Sequence, residues 1–253
     1  MNEFKEITLV CDDSFDGIMT AVYDGWVLML KGNKVKIYPG DDYAYELFCE
    51  NINCKTNVKK AISVAQAIQQ KISVEAYEYV FRTAHHYKNR GNAILEFLKV
   101  GFRAGSRTTK MLSENRVMTV MKLARKASNE ANVFREILRF KEINGKFLFG
   151  TISPKCDVLL LIENHFTCRY PEENWIIYDD IRKKALVHRY KSETIVVSGE
   201  ELDRVIDQID IDDDYEELWK VFFDAIAIEE RRNEKCQMSH VPKWYRKHMN
   251  EFN

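Results

Sequence analysis

The sequence predicts an α+β protein, with a helix-rich first half followed by a small antiparallel sheet packed with helices. Apolar residues recur at intervals of three and four through much of residues 15–131, which is the period of an amphipathic helix. After residue 132 the apolar runs become short, and Asn144-Gly145 between two of them is a strong hairpin signal. We therefore expect a mainly helical region over residues 1–130 and a sheet with helices and a basic-aromatic tail over residues 131–253, as two regions or as one body.

The first half begins with a short strand and continues as helices. Residues 7–11 (ITLVC) are largely β-branched, and Ser14 is placed to cap a helix over residues 15–30. A second short strand ends at Pro39-Gly40. Apolar spacing predicts the remaining helices at residues 57–72, 73–87, 92–102 and 116–131, and Ser73 is placed to cap the second of these.

The second half alternates strands with helices. Residues 134–143 alternate in character, and they are predicted to pair with residues 146–152 across the Asn-Gly turn. The first strand of the chain would join this sheet if the two halves form one body. The other predicted elements are a helix at 157–170, strands at 175–178, 185–190 and 194–197, and helices at 200–209 and 215–232.

Composition indicates an ordinary globular protein with segregated charge. The 253 residues are 45% hydrophobic and 30% charged, and their formal net charge is −1. Residues 82–126 contain eleven Lys and Arg with two acids, whereas residues 200–217 contain ten acids and one Arg. The near-zero total therefore conceals a basic segment and an acidic segment.

The six cysteines match no zinc-finger, CxxC or iron–sulfur spacing, and no P-loop or zinc-deaminase motif is present. We expect no metal and no cofactor. With no signal-peptide pattern and no apolar run of membrane-spanning length, we expect a cytoplasmic protein whose thiols are buried small hydrophobes.

The basic segment predicts a nucleic-acid surface, because its cations would neutralise phosphates and acids are nearly absent from it. The alternative is that it pairs with the acidic residues 200–217, within the chain or across a dimer. The predicted nucleic-acid-binding residues of this segment are Arg103, Arg107, Lys110, Arg116, Lys122, Arg125 and Lys126.

The C-terminal segment interleaves cations with aromatic rings, a pattern that favours contact with phosphates and stacking on bases. The alternative is a tail docked on the domain, whose Met238, Val241, Trp244 and Tyr245 side chains close a core. The predicted nucleic-acid-binding residues of this segment are Arg231, Arg232, Lys243, Trp244, Tyr245 and Lys247.

A third group of residues suggests chemistry in the second half. His165 and Arg169 lie four apart on one helix face, and Asp179 and Arg182 follow the predicted strand at 175–178. If they converge, the imidazole would exchange protons and the arginines would hold a phosphate. The alternative is an Arg–Asp lattice that stabilises the turn.

Two further residues are predicted phosphate contacts. Ser14 stands at a predicted helix N-terminus, where backbone N–H groups would meet a phosphate, and ordinary capping is the alternative. Arg139 lies on the predicted first strand of the hairpin.

Three segments resemble a bacterial family of DNA-metabolism or DNA-repair proteins whose activity is undefined. They are DSFDG at residues 13–17, LRFKEINGKFLFGTISPKCDVLLLIENHFTCRYPEENWIIYDDIRKKAL at residues 138–186, and RRNEKCQ with VPKWYRKHM at residues 231–249. The chain departs from the family pattern at Cys11-Asp12, at Phe134 and in the order of Trp244 and Tyr245. The resemblance implies a companion of radical SAM proteins or of uracil-DNA-glycosylase-like proteins.

Three functions are consistent with these observations. The first is a DNA-metabolism accessory that binds nucleic acid or a repair enzyme. The second is a metal-independent enzyme that acts on a nucleotide or base through His165, Arg169, Asp179 and Arg182. The third is a protein-interaction module with no nucleic-acid contact. The sequence gives no oligomeric state.

Overall fold

A computed structural model describes residues 5–40, 49–143, 147–198 and 241–249. The chain forms two compact units, Met1–Ser128 and Asn129–Asn253. Helices dominate the first unit and a five-stranded sheet lies in the second, so the predicted α+β class is confirmed.

The first unit contains a parallel sheet in the order β2-β1-β3. The strands are β1 (Glu6–Cys11), β2 (Lys34–Pro39) and β3 (Cys49–Cys54). Both neighbours of β1 come from the same unit, so β1 does not pair with the sheet of the second unit. Strand β3 was not predicted, because its sequence CENINC alternates polar side chains with few apolar ones, as an edge strand does.

Helices pack around this parallel sheet, and two helices of the first unit are capped by the residues that the sequence predicts. The side chain of Ser14 accepts a hydrogen bond from the backbone N–H of Gly17, and Ser73 caps α3 in the same way. The helices are α1 (Phe15–Leu30), α2 (Val58–Lys71), α3 (Val74–Ala84), α4 (Arg90–Ala104) and α5 (Asn115–Ile137), with a 3-10 helix at Gly105–Lys110 between α4 and α5.

Helix α5 is longer than predicted and continues across the division between the units. The strand predicted at residues 134–143 is wrong over its first four residues, which are helical. In the second unit Ala131, Phe134 and Ile137 are buried at intervals of three, as on one face of a helix. Only the end of the predicted strand, at Lys141–Ile143, is extended.

The sheet of the second unit is mixed, with the order β4-β5-β6-β7-β8. Strands β5 and β6 are parallel, and the other three pairings are antiparallel, as predicted for the whole sheet. A parallel pair needs a crossover, and α6 (Leu159–Arg169) connects the two strands. The strands are β4 (Lys141–Ile143), β5 (Phe147–Ile152), β6 (Trp175–Asp179), β7 (Lys184–His188) and β8 (Ile195–Ser198).

Some predictions fall on residues that the structure does not describe. The Asn144-Gly145 turn is one of them, although the antiparallel pairing of β4 with β5 is that of a hairpin. The helices predicted at 200–209 and 215–232, with Arg231 and Arg232, also lie outside the described residues.

The cysteines differ in accessibility, and this difference predicts their reactivity. Cys11 and Cys54 are neighbours on adjacent strands, and burial raises the pKa of Cys11 to about 12 and that of Cys54 to about 11. Cys168 is exposed on α6, contrary to the expectation of buried thiols.

At about pH 8 a thiol reagent is therefore expected to label Cys168 rapidly and to reach Cys11 and Cys54 only after unfolding, because the thiolate is the reactive form. Mass spectrometry of partly labelled native protein measures this order. A Cys168→Ser variant should lose one rapidly reacting thiol. Labelling of Cys11 at the rate of Cys168 in the native protein would contradict the prediction.

Candidate nucleic-acid interface

Residues 103–126 of the basic segment form the end of α4, the following 3-10 helix and the first half of α5. Helix α4 ends at Ala104, and Gly105, with a φ of 61°, turns the chain sharply into the 3-10 helix. Seven of its cationic side chains are exposed to solvent, and we call them the basic surface: Arg103, Arg107, Lys110, Arg116, Lys122, Arg125 and Lys126. All seven belong to the first unit.

The orientation of α5 about its axis exposes three of these cations to solvent. Lys122, Arg125 and Lys126 are spaced by three and four residues, so they share one face of the helix. Val120 and Ala124, on another face of α5, are 0% and 1% exposed. Because the apolar face is fixed in the core, the cationic face points away from it.

Six of the seven cations have no ion-pair partner among the described residues. The exception is Arg116, whose Nε and Nη2 donate to the two carboxylate oxygens of Glu114 at 2.8 and 3.0 Å. These hydrogen bonds lower the pKa of Glu114. Elsewhere in the segment Arg82 is paired with Glu78 at 2.9 Å. The positive charge of the basic surface is therefore largely uncompensated within the described part of the chain.

Four of the predicted tail contacts, Lys243, Trp244, Tyr245 and Lys247, lie on a 3-10 helix, Lys243–His248, that docks on the second unit. Trp244 Nε1 donates to the backbone oxygen of Ser153 at 2.7 Å, and the Tyr245 hydroxyl donates to Glu130 Oε1 at 3.1 Å. These two rings therefore dock on the domain, as in the alternative prediction for the tail, although the Trp244 side chain is still 50% exposed. Met238, which the same alternative includes, lies outside the described residues.

Glu130 is the anchor that the tail shares with the loop after β5. Its side chain is buried and accepts hydrogen bonds from the backbone N–H groups of Lys155 and Cys156 at 2.8 and 2.9 Å, besides the one from Tyr245. A buried carboxylate is costly unless donors surround it, and three donors meet this one. The ring of Tyr245 also packs edge-on against Phe134, with centroids 5.4 Å apart.

A second polar cluster holds the end of the tail. Ser153 Oγ donates to Asp180 Oδ1 at 2.6 Å and lies 2.7 Å from His248 Nε2, while the Lys247 ammonium bonds the Asp180 carboxylate. Asp180 Oδ2 is 3.4 Å from the same imidazole nitrogen. In a Ser-His-Asp triad the acid holds the other nitrogen, so these four residues do not form one. We call them the tail latch.

We predict that acid weakens the tail latch. Burial lowers the pKa of His248 despite the nearby Asp180 carboxylate, so the folded protein binds this proton less tightly than the unfolded chain. Stability from a histidine with a lowered pKa is present above its ordinary pKa of about 6.5 and is lost as the pH falls below it. Burial raises the pKa of Asp180, but hydrogen bonds from Lys247 and Ser153 outweigh it, so Asp180 adds a loss in the same direction below its ordinary value of 3.8.

Urea unfolding at about pH 7.5 and about pH 5 measures this effect. The free energy of unfolding should fall on acidification, and it should fall less in a His248→Gln variant. His165 also has a lowered pKa, so the comparison of variant with wild type isolates His248. An equal fall in both proteins would contradict the prediction.

Two of the four predicted catalytic residues form a buried ion pair. Arg182 Nη1 donates to Asp179 Oδ2 at 3.0 Å, and the Asp179 side chain is fully buried. Asp179 Oδ1 also accepts from the backbone N–H groups of Ile181 and Arg182 at 3.0 and 3.1 Å. Arg182 further donates to the backbone oxygens of Pro154 and Lys155. The ion pair stabilises the turn after β6. This arrangement is the Arg–Asp lattice that was predicted from the sequence as the alternative to catalysis.

The other two lie on α6 in a different environment. Burial, together with the positive charges of Arg135 and Arg169, lowers the pKa of His165. Arg169 is exposed and lies over the ring of its neighbour Tyr170. Within the described ranges, no hydrogen bond or ion pair joins these two residues to the buried pair. Catalysis by the four residues stays a prediction.

The two predicted phosphate contacts lie in different units. The side-chain oxygen of Ser14 is engaged in capping α1, as described above. Arg139 lies between α5 and β4 and not on a strand, and its Nη1 donates to the backbone oxygen of Glu136 at 2.9 Å. Binding of phosphate by either residue stays a prediction.

Sequence reasoning missed Ser153, Asp180 and His248. The serine and the histidine are 95 residues apart, so no short motif contains them. The sequence contains one indication of this site: Lys247 and His248 follow closely after Trp244 and Tyr245, the two rings that dock the tail.

The described residues contain no helix that is long and apolar enough to cross a bilayer. They also contain no group of three His, Cys, Asp or Glu side chains placed to hold a metal ion. The adjacent His85 and His86 are both buried, and each Nδ1 lies within hydrogen-bond distance of a backbone oxygen.

Fold and surface together define an α+β protein with an exposed basic surface and a docked C-terminal tail. Residues 88–251 match the family described as a domain of unknown function, DUF4130, and the chain belongs to this family. The basic surface and the tail latch both lie within the matched residues. No curated protein matches the chain, and no solved structure matches it.

Proposed function

We propose that this protein binds nucleic acid through the basic surface, as an accessory of DNA metabolism. The observation that supports this most strongly is that seven exposed cations lie within residues 103–126 of the first unit, six of them without an ion-pair partner in the described chain. Cations of this kind displace counterions from a phosphate backbone, which gives salt-sensitive affinity without sequence preference.

The tail makes a smaller contribution in this proposal. The Tyr245 ring is packed, and the Lys247 ammonium is bonded to Asp180, so neither is open for a base or a phosphate without breaking the dock. Lys243 and the half-exposed Trp244 remain as surface groups, with Lys155 lying 5.6 Å from the Trp244 ring. We therefore assign most of the affinity to the basic surface.

Fluorescence anisotropy with labelled single- and double-stranded oligonucleotides tests the proposal. We expect binding at about 50 mM salt and an affinity at least roughly 100-fold lower at about 200 mM salt, because several phosphate contacts are lost together. An oligonucleotide of the same sequence with an uncharged backbone is the matched control and should not bind. Absence of binding at low salt, or binding that salt does not change, would overturn the proposal.

The resemblance to DNA-metabolism proteins supports a companion role beside a radical SAM protein or a uracil-DNA-glycosylase-like protein. Co-purification of the tagged chain with such a protein, before and after nuclease treatment, tests this part separately. We expect the association to survive the nuclease. Complete loss after nuclease would show that nucleic acid bridges the two proteins and would contradict a direct contact.

A further inference from the structure

A cavity of about 530 Å³ opens at the carboxyl ends of β1 and β2 in the first unit. Its polar and aromatic lining comes from the residues after β1, from the end of β2, and from the loop that leads into α4 with the start of that helix: Asp13, Tyr38, Tyr87, Lys88, Asn89 and Arg90. Ligands of open parallel sheets bind outside the carboxyl ends of the strands, and a volume of this size accommodates a small organic ligand.

Close packing fixes the wall that α4 contributes. A Cβ at Gly91 would lie 2.5 Å from the backbone oxygen of Ile37, so glycine is needed for this approach of helix to strand. The side-chain oxygen of Asn92 accepts the backbone N–H of Ile37 at 2.8 Å. Asn89, at φ 54°, leads into the helix without a side-chain capping bond. The first turn of α4 is therefore held rigidly at the cavity.

A buried arginine stiffens the same wall. The side chain of Arg90 is 9% exposed, and its Nη1 donates to the backbone oxygens of Ala84 and His86 at 3.2 and 3.0 Å. Its Nη2 bonds the carboxylate of Asp13, which is 53% exposed. The guanidinium is thus preorganised at the cavity, with its charge balanced by a carboxylate that solvent reaches.

Lys88 and Tyr87 supply the accessible groups. Both side chains are exposed, and the Lys88 ammonium lies 5.7 Å from the centre of the Tyr87 ring. Lys88 has no ion-pair partner in the ranges that the structure describes. An exposed cation beside an aromatic face suits a ligand that carries both a phosphate and a planar ring.

We propose that this cavity binds a nucleoside phosphate. The phosphate contacts Lys88 and the first turn of α4, the base stacks on the face of Tyr87 opposite the one that His86 covers, and the Asp13 carboxylate accepts a hydrogen bond from the sugar. The 15 residues of α4 separate the cavity from Arg103 of the basic surface by about 20 Å. The site is therefore distinct from the proposed nucleic-acid surface and does not depend on it.

Isothermal titration calorimetry of the full chain with the common nucleoside monophosphates, adenosine and inorganic phosphate tests the site. We expect at least one monophosphate to bind and adenosine to bind at least about 10-fold more weakly, because the charged contact is missing. No binding of any monophosphate at millimolar concentration would overturn the proposal.

Variants distinguish this cavity from the basic surface. Lys88→Ala should weaken monophosphate binding about 10-fold by removal of the charged contact, and Tyr87→Ala should weaken it through loss of stacking. Lys122→Ala, the matched control on α5, should leave it unchanged. Both test residues are exposed, and thermal melting checks that the variants fold. Equal losses in Lys88→Ala and Lys122→Ala would overturn the assignment to the cavity.

A competition arm identifies the source of the nucleoside phosphate. Displacement of a bound fluorescent monophosphate by a 5′-phosphorylated oligonucleotide, but not by its 5′-hydroxyl form, would support the site with a nucleic-acid end as its ligand. Displacement by free monophosphate alone would support the site with a free nucleotide as its ligand. If the 5′-phosphorylated and 5′-hydroxyl oligonucleotides displace the fluorescent monophosphate equally from the Lys122→Ala protein, the cavity does not recognise a phosphate, and the proposal is contradicted.

Discussion

Replacing Lys122, Arg125 and Lys126 together by Glu is expected to lower the affinity for DNA by about 100-fold or more. These side chains share the outward face of α5, so one substitution set removes three neighbouring cations and adds three repelling charges. The salt dependence should change as well. Each lost phosphate contact reduces the slope of log affinity against log salt by about 0.9, so the variant should be markedly less sensitive to salt.

A charge-matched control separates the surface from the net charge. Lys31, Lys55 and Lys59 are exposed lysines elsewhere in the first unit. Replacing all three by Glu changes the net charge of the protein by the same amount as the substitutions on α5. We expect this control to bind DNA within a few-fold of wild type at moderate salt, where distant charges are screened. Equal losses in the two variants would contradict the assignment to α5.

Replacing Arg182 by Ala is expected to lower the free energy of unfolding by about 3–5 kcal/mol near neutral pH. The substitution leaves the fully buried Asp179 carboxylate without its cation and leaves the backbone oxygens of Pro154 and Lys155 without a donor. Burial already raises the pKa of Asp179 above its ordinary value, although Arg182 opposes this. Without the arginine the pKa should rise further.

The sign of the pH effect follows from the raised pKa. A folded state that binds a proton more tightly than the unfolded chain gains stability as the pH falls. The deficit of Arg182→Ala should therefore shrink toward about pH 5, and Asp179→Asn in the same chain should recover part of it. Chemical denaturation measures both effects, with the exposed Arg189→Ala as a near-neutral control. A deficit that neither acid nor Asp179→Asn reduces would contradict a buried unpaired carboxylate.

Local signals in the sequence predicted the elements whose determinants are local. The caps at Ser14 and Ser73 are read directly from side chains that bind the next turn, and the helices begin where they do for that reason. Residues 134–137 were assigned wrongly, because Phe134 and Ile137 are three apart, a spacing that fits a helix, and only residues 138–141 alternate. The contacts of Phe134 and Ile137 with a core decide in favour of helix, and tertiary packing of this kind is not encoded in four residues.

The candidate sites differ in the same way, between those that local sequence determines and those that distant segments form. The basic surface was predictable because its cations are dense in sequence and helical spacing leaves them exposed. The tail latch was not, because Ser153, Asp180 and His248 come from three distant segments that only the sheet and the docked tail bring together. The cavity at Arg90 was missed for the same reason, since its partner Asp13 lies 77 residues earlier.

Photochemical cross-linking tests most directly whether the basic surface is the nucleic-acid interface. A photoreactive single-stranded oligonucleotide is cross-linked to the full chain at low salt, and the modified peptides are identified by mass spectrometry. The proposal predicts cross-links to peptides covering residues 103–126 and their loss at high salt, where phosphate contacts weaken. Cross-links confined to residues 241–249, or spread evenly along the chain, would contradict it.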